Sequence, residues 1–142
     1  MIRALEMRER QLKDSGVADQ SALNQRISRE LKSAVSGIKI LGENEPRLWN
    51  TISVIMPEAD CRIRWVVKLD KAGFAVSTGS ACASGEEKPS HVLQAMGLAD
   101  SSGRALRFSS AWETTEADWL ALIETLKQIT VDVVGQAVSQ KG

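Results

Sequence analysis

Residues 38–56 read I-K-I-L-G-E-N-E-P-R-L-W-N-T-I-S-V-I-M, which predicts two strands joined by a polar turn. The first strand, residues 38–41, is a short β-branched run. The second strand, residues 50–56, alternates in side-chain character and ends before Pro57, which has no N–H to donate to a sheet. Because the connection is short, we expect the two strands to pair antiparallel.

Helical patterns surround this hairpin. A turn-forming cluster at residues 14–16 precedes a predicted amphipathic helix over residues 21–35, which Gly37 is placed to end. Apolar residues recur there every four positions, at Leu23, Ile27, Leu31 and Val35. A second helix is predicted over residues 61–69, with Asp60 as its cap, Gly73 after its end and Cys61 on its inward, structural face.

The rest of the chain continues the alternation of elements. Strands are predicted at residues 74–76 and 105–109, and a short helix at residues 90–96. Thr115 and Asp118 resemble a capping box that opens a long apolar-striped helix, followed by a polar tail from Gln136 that we expect to fray. The four tryptophans are interpreted as core or interface residues: Trp49, Trp65, Trp112 and Trp119.

This order of elements predicts an α+β fold. Helices are expected to form one layer and to cover one face of a small mixed, mostly antiparallel sheet, the second layer. At 142 residues, the chain is predicted to be a single domain, residues 1–142.

Composition excludes several classes of function. Eighteen basic residues balance eighteen acidic ones, so the chain has no net field to attract nucleic acid or an anionic membrane. We find no apolar run of membrane-spanning length, and the charged N-terminus does not resemble a secretory signal, so we expect a cytoplasmic protein. Two cysteines in different contexts and a single histidine predict no metal site.

Residues 76–85 (V-S-T-G-S-A-C-A-S-G) place one thiol, Cys82, in a run of small residues. Such a composition favours an exposed, adaptable loop, which can carry a nucleophile to a site that the rest of the domain cannot reach. The alternative is a linker around a small buried cysteine, and composition alone favours that alternative.

Alternation over residues 105–109 (A-L-R-F-S) places Leu106 and Phe108 on one face of a strand and Arg107 on the other. Taken alone, Arg107 is interpreted as a solvated strand arginine. Arg104 is the competing arginine, but it lies in the preceding turn.

Four blocks of sequence resemble the C-terminal part of the cysteine desulfurases, pyridoxal-phosphate enzymes with the fold of the class V aminotransferases. The blocks are A-G-F-A-V-S-T-G-S-A-C-A-S-G at 72–85, P-S-H-V-L-Q-A-M-G-L at 89–98, A-L-R-F-S-S at 105–110 and T-T-E-A-D at 114–118. They occur in the family's order within a match that runs from about residue 46 to about residue 129.

The resemblance implies roles for particular residues. Cys82 stands at the place of the family's nucleophile, which takes sulfur from L-cysteine, leaves alanine and becomes a persulfide that passes to an acceptor protein. Arg107 matches the arginine that grips the substrate carboxylate. His91 and Asn50 lie in matched blocks and are second-tier candidates, with Asn50 expected to fix local backbone.

Two departures from the family pattern affect these expectations. Ser110, Ala111 and Trp112 follow the R-F-S strand where the family often has a glycine and then an arginine or another polar residue. None of the chain's lysines has the S-x-H-K-like setting of the cofactor lysine. We therefore expect a C-terminal small domain whose partner is an absent large domain. Alone, it is expected to bind no pyridoxal phosphate and to be inactive.

Two alternatives remain open. The chain can be a stand-alone persulfide-carrier or interaction module that accepts sulfur on Cys82 from a separate enzyme, or a purely structural remnant. Self-association to a homo-oligomer is also expected, because a domain of this kind exposes the surface that met its large domain.

Overall fold

The computed structural model describes residues 16–58, 65–78 and 90–139 of the chain. Its helices are α1 (Gly16–Ala34), α2 (Trp65–Lys71), α3 (His91–Ala95), a 3-10 helix (Ala99–Arg104) and α4 (Glu116–Ser139). Its strands are β1 (Lys39–Ile40), β2 (Thr51–Ile55), β3 (Ser77–Thr78) and β4 (Ala105–Ser109). The predicted order of elements is therefore confirmed over these residues.

The four strands form one sheet in the order β1-β2-β4-β3. All three strand pairs in the described ranges are antiparallel, including the β1–β2 hairpin predicted from residues 38–56. The α+β class is confirmed, whereas the expected mixed character is absent from this part of the chain. The short connection explains the antiparallel β1–β2 pair, since a parallel pair needs a long crossover, and the longer-range pairs β2–β4 and β3–β4 are antiparallel as well.

One face of the sheet forms the core. Ile52 pairs with Phe108 and Val54 with Leu106, and all four side chains are buried. Helices α1 and α4 pack against one another over this face. They contribute a list of buried residues: Ile27, Leu31, Trp119, Leu122, Ile123 and Leu126. The predicted helical layer on this face is therefore confirmed, and burial of these apolar surfaces is the main stabilising contribution. Helix α3 departs from the one-layer prediction, because Leu93 packs against the opposite face of the sheet.

Three predicted boundaries were wrong. Helix α1 begins at Gly16, inside the predicted turn cluster and five residues before the predicted start. Strand β3 is Ser77–Thr78 and not residues 74–76, because the Phe74 N–H donates to the carbonyl of Leu69 and so caps helix α2. Helix α4 continues to Ser139 through residues predicted to fray, since polar residues without a proline do not end a helix.

Other helix ends agree with the sequence. Gly37 and Gly73 follow helices with φ values of +82° and +89°, the left-handed conformation that glycine adopts without a steric penalty. Helix α2 is described only from Trp65, so the predicted cap Asp60 and the inward Cys61 lie outside the described residues.

The predicted capping box at the start of α4 is confirmed. The Thr115 N–H and hydroxyl donate to Asp118 Oδ2 at 2.8 and 2.7 Å, and the Asp118 N–H donates to Thr115 Oγ1 at 3.2 Å. The hydroxyl bond, followed by the backbone bond, lowers the pKa of Asp118 below its ordinary value of 3.8. A carboxylate here also interacts favourably with the positive, N-terminal end of the helix dipole.

The tryptophans divide into two groups. Trp65 and Trp119 are buried in the core. Trp49 and Trp112 are half-buried and stack on each other with ring centroids 4.2 Å apart. Within the described ranges, no helix has the length and apolarity that a membrane span needs.

Candidate functional site

The second face of the sheet carries the candidate site. Because successive residues of a strand point to opposite faces, the register places one row of side chains across this face. The row consists of Leu41, Ser53, Arg107 and Ser77: Ser53 and Ser77 both pair with Arg107, and the Leu41 N–H donates to the Ser53 carbonyl at 2.8 Å. Alternation in residues 105–109 correctly predicted that Arg107 points away from the helix-covered core.

The hydrogen-bond pattern shows how Ser53 and Arg107 face each other. At the two ends of the β2–β4 ladder, the Ser110 N–H donates to the Asn50 carbonyl and the Met56 N–H to the Arg104 carbonyl, both at 2.9 Å. Hydrogen-bonded pairs alternate with pairs that exchange no backbone bonds, so Ser53 and Arg107 form a pair of the second kind. In such pairs the Cα atoms are only about 4.5 Å apart and the side chains are close neighbours.

The two arginines of this region differ in what they contact. Arg104 donates to the Met56 carbonyl at 3.1 Å and to Ser101 Oγ at 3.4 Å, so its guanidinium holds the 3-10 helix against β2. Arg107 is exposed, and no hydrogen bond or ion pair engages its guanidinium anywhere in the described residues. Arg107 is therefore the arginine that is available to a ligand.

A groove of about 320 Å³ lies beside Arg107, between the sheet and helix α3. Leu93 of α3 packs against Ile55 and Ala105, which holds the helix over the part of this face that Ile55 and Ala105 occupy. Besides Arg107, the groove is lined by apolar and hydroxyl side chains, among them Leu41, Ser53, Ser90, Val92 and Met96. Its chemistry therefore combines one cation, small hydroxyls and an apolar wall, which suits a small acid with a short side chain.

A second cavity, of about 110 Å³, lies near the start of α4. Its lining is mostly apolar and includes Phe74, Val76, Phe108 and Trp119. We find no group of three or more metal-ligating side chains in the ranges that the structure describes. The groove beside Arg107 is thus the better candidate for chemistry.

The structure separates the second-tier residues from the groove. His91 is exposed at the first position of α3 and is not among the residues that line the groove. Asn50 donates from Nδ2 to the Ser110 carbonyl at 3.3 Å and accepts from Thr51 Oγ1 at 3.2 Å, so it holds the ends of β2 and β4 together. This contact is of the kind expected for Asn50, and it lies at the end of the ladder, away from the groove.

Cys82 lies outside the described residues, but described residues on both sides of it adjoin the groove. Thr78 pairs with Leu106, the neighbour of Arg107, and Ser90 is one of the residues that line the groove. Ser53 is the lining residue that sequence reasoning missed. The signal was present, because Ser53 separates the two buried residues Ile52 and Val54 and must face the opposite side of the sheet.

Comparison with known proteins finds similarity to cysteine desulfurases. No family model matches the sequence. The chain is 37% identical over 101 residues to a cysteine desulfurase of Rhodobacter capsulatus, which covers 70% of this chain and 26% of that protein. It is 38% identical over 108 residues to a cysteine desulfurase of Cereibacter sphaeroides, which covers 75% of this chain and 28% of that protein.

Solved structures of NifS-like proteins are also similar to this chain. A NifS-like protein from Rickettsia africae superposes with a TM-score of 0.64 and 25% identity, over 82% of this chain and 30% of that protein. Another structure described as a NifS-like protein superposes with a TM-score of 0.66 and 26% identity, over 89% and 31% of the two chains. This chain therefore spans little more than a quarter of the length of the curated relatives it matches.

Proposed function

Because this chain belongs to the cysteine desulfurase family, we propose that it acts as the C-terminal domain of such an enzyme. The complete enzyme would remove sulfur from L-cysteine in the cytoplasm, giving L-alanine and a persulfide that passes to an acceptor protein. In this proposal the chain supplies two groups, a carboxylate-binding arginine and a sulfur-accepting cysteine. The single observation that carries it is the free, exposed guanidinium of Arg107 beside a groove of small-ligand size.

Arg107 would bind the substrate carboxylate. A guanidinium stays charged at any physiological pH and presents parallel N–H groups that match the two oxygens of a carboxylate. Since no described acidic side chain pairs with Arg107, the full charge is available to a ligand. Hydrogen bonds of this charged, two-point kind fix the orientation of the acid as well as its position.

Cys82 would accept the sulfur. Its thiolate would attack the substrate sulfur, so that an S–S bond forms while the substrate's C–S bond breaks, and the electron pair left on carbon takes a proton to give the methyl group of alanine. Three residues lie between Thr78 and Cys82, so the four residue steps limit the distance between their Cα atoms to about 14 Å. Since Thr78 pairs with the neighbour of Arg107, this limit supports delivery of Cys82 to the groove.

The described residues do not fit the family's cofactor. Pyridoxal phosphate needs a lysine amine at its binding site. The described lysines lie on helix surfaces or on β1, and none lines either cavity: Lys32, Lys39, Lys68, Lys71 and Lys127. We therefore derive no step through the cofactor and assign its binding to a large partner domain, as in the relatives of which this chain covers only 26–28%.

A chimaeric enzyme tests the proposal. The C-terminal part of the Rhodobacter capsulatus relative that aligns with this chain is replaced by residues 1–142, and alanine and protein persulfide are measured with L-cysteine. We expect turnover, loss of the persulfide with Cys82→Ala, and a roughly 10- to 100-fold lower kcat/KM with Arg107→Gln, the size expected for losing charged hydrogen bonds.

Two control measurements test this interpretation. Ser109→Ala, on the same strand and face as Arg107, is the matched control and is expected to retain the parent kcat/KM. The chain alone, with pyridoxal phosphate and L-cysteine, is expected to release no sulfide. Equal activity of the parent chimaera and Arg107→Gln would contradict the role of Arg107, and turnover by the chain alone would contradict the assignment of the cofactor to a partner domain.

A further inference from the structure

Ser53 presents a second free polar group to the groove. It lies directly across from Arg107 in a pair that exchanges no backbone hydrogen bonds, which is the closest approach that two cross-strand side chains make. Ser53 is half-buried, lines the same groove, and its hydroxyl has no hydrogen-bond partner in the part of the chain that the structure describes. A hydroxyl and a guanidinium, both free, therefore face one ligand volume.

The serine on the other side of Arg107 is different. Ser77 also pairs with Arg107, but its hydroxyl donates to the Arg107 carbonyl at 3.5 Å. This weak bond directs the Ser77 hydroxyl toward the backbone of β4. Of the two serines beside Arg107, Ser53 is therefore the one whose hydroxyl is free to meet a ligand.

We propose that Ser53 is a ligand-binding residue, whose hydroxyl donates a hydrogen bond to the same carboxylate that Arg107 binds. This inference rests on the proposed function. It adds a second protein contact to the substrate carboxylate and predicts that this contact comes from strand β2. A carboxylate offers about four acceptor positions, and a two-point guanidinium contact uses two of them. A short O–H···O⁻ bond from the β2 side would hold the carboxylate over the sheet, with the rest of the acid directed along the groove.

The apolar lining of the groove limits which acids can bind in this orientation. Leu41, Val92 and Met96 line the same groove as the two polar groups, so an acid held by Ser53 and Arg107 places its side chain against aliphatic and thioether surface. The ligand class is therefore a small carboxylic acid with a short, uncharged side chain. Acids with a second charge would leave that charge unpaired against the apolar lining.

The inference is tested on the 142-residue chain by a two-dimensional NMR titration that includes the arginine side-chain N–H signals. L-Alanine is the probe, and L-alaninamide, which lacks the carboxylate, is the control ligand. We expect saturable, carboxylate-dependent shifts in the parent chain, about a tenfold higher Kd for Ser53→Ala, and a Kd within twofold of the parent for Ser53→Thr, which keeps the hydroxyl. Ser109→Ala, a matched control on the same face, is expected to bind as the parent does.

The variants separate failure of this inference from failure of the proposed function. If Arg107→Gln binds L-alanine as tightly as the parent chain, both are overturned. If the parent shows no carboxylate-dependent shift, the inference about Ser53 is overturned, and the chimaeric enzyme decides the proposed function. If Arg107→Gln loses binding while Ser53→Ala keeps the parent Kd, the inference about Ser53 is wrong and the role of Arg107 stands. A Ser53→Thr variant that binds as weakly as Ser53→Ala would show that side-chain shape and not the hydroxyl matters, which also overturns it.

Discussion

Asn24 joins helix α1 to the start of strand β2, and we predict that Asn24→Ala lowers the free energy of unfolding by about 1–3 kcal/mol. The side chain is only 4% exposed, and its Nδ2 donates to the carbonyls of Trp49 at 3.0 Å and Thr51 at 3.4 Å. Alanine leaves both carbonyls without this donor. The Trp49 bond carries most of the effect, because 3.4 Å exceeds the usual N–H···O distance.

The amide oxygen of Asn24 limits the loss of unfolding free energy in Asn24→Ala. Asn24 Oδ1 has no partner among the described residues, and neither has Nη1 of nearby Arg47, whose Nη2 donates to Ser28 Oγ at 2.9 Å. Removing Oδ1 therefore breaks no further bond and relieves a desolvation cost already present in the folded chain. The predicted loss is a fraction of the roughly 5–15 kcal/mol typical of a domain, so the variant should still fold.

Urea unfolding followed by far-UV circular dichroism measures the effect. Gln25→Ala is the matched control, because Gln25 is the next residue of the same helix, is exposed and uses no side-chain hydrogen bond in the described structure. We expect a lower unfolding midpoint for Asn24→Ala with an unchanged slope. A free energy of unfolding within 0.5 kcal/mol of that of Gln25→Ala, by the usual tolerance for surface changes, would refute the reasoning.

Two further predictions concern helix α4. Leu126→Ala should lower the free energy of unfolding by about 2–5 kcal/mol because Leu126 is fully buried, whereas Leu120→Ala, 43% exposed on the same helix, should change it by less than about 0.5 kcal/mol; equal losses in urea unfolding would contradict this. Since hydrogen bonds from Thr115 lower the pKa of Asp118 below 3.8, the stability from its carboxylate is present above pH 3.8 and is lost as the pH falls through the folded pKa. The difference in urea midpoint between the parent and Asp118→Asn should therefore be present at pH 7 and vanish once the pH lies well below the folded pKa of Asp118; a difference that does not change with pH would exclude this origin.

Local patterns predicted most of the fold because their causes lie within a few residues. Alternation in A-L-R-F-S identified strand β4, Ala105–Ser109, to the residue and placed Arg107 on its outward face. The capping box at Thr115 located the start of α4 for the same reason. One strand boundary was missed because the Phe74 N–H is taken by the Leu69 carbonyl at the end of helix α2, and the strand begins three residues later.

The candidate site also contains some residues that the sequence identified and others that only the structure revealed. Sequence blocks identified Arg107 and Cys82 as candidates, and of these the structure describes Arg107. They could not identify Ser53, because a serine in an alternating strand is ordinary until its cross-strand partner is known. Nor could they distinguish the two arginines by their contacts, since only the fold engages Arg104 with the Met56 carbonyl and leaves Arg107 without a partner among the described residues.

By itself, the sequence determined the kinds of element, their order, the face that each strand buries and the family to which the motifs point. Each of these depends on side-chain chemistry and on the period of a helix or a strand, which are properties of short segments. Only the tertiary structure decided the strand order β1-β2-β4-β3, the pairing of Ser53 with Arg107 and the groove under helix α3. These features arise from contacts between segments that are well separated in the chain, such as those of Ser53 and Arg107, and no local pattern encodes which distant strand will be the neighbour.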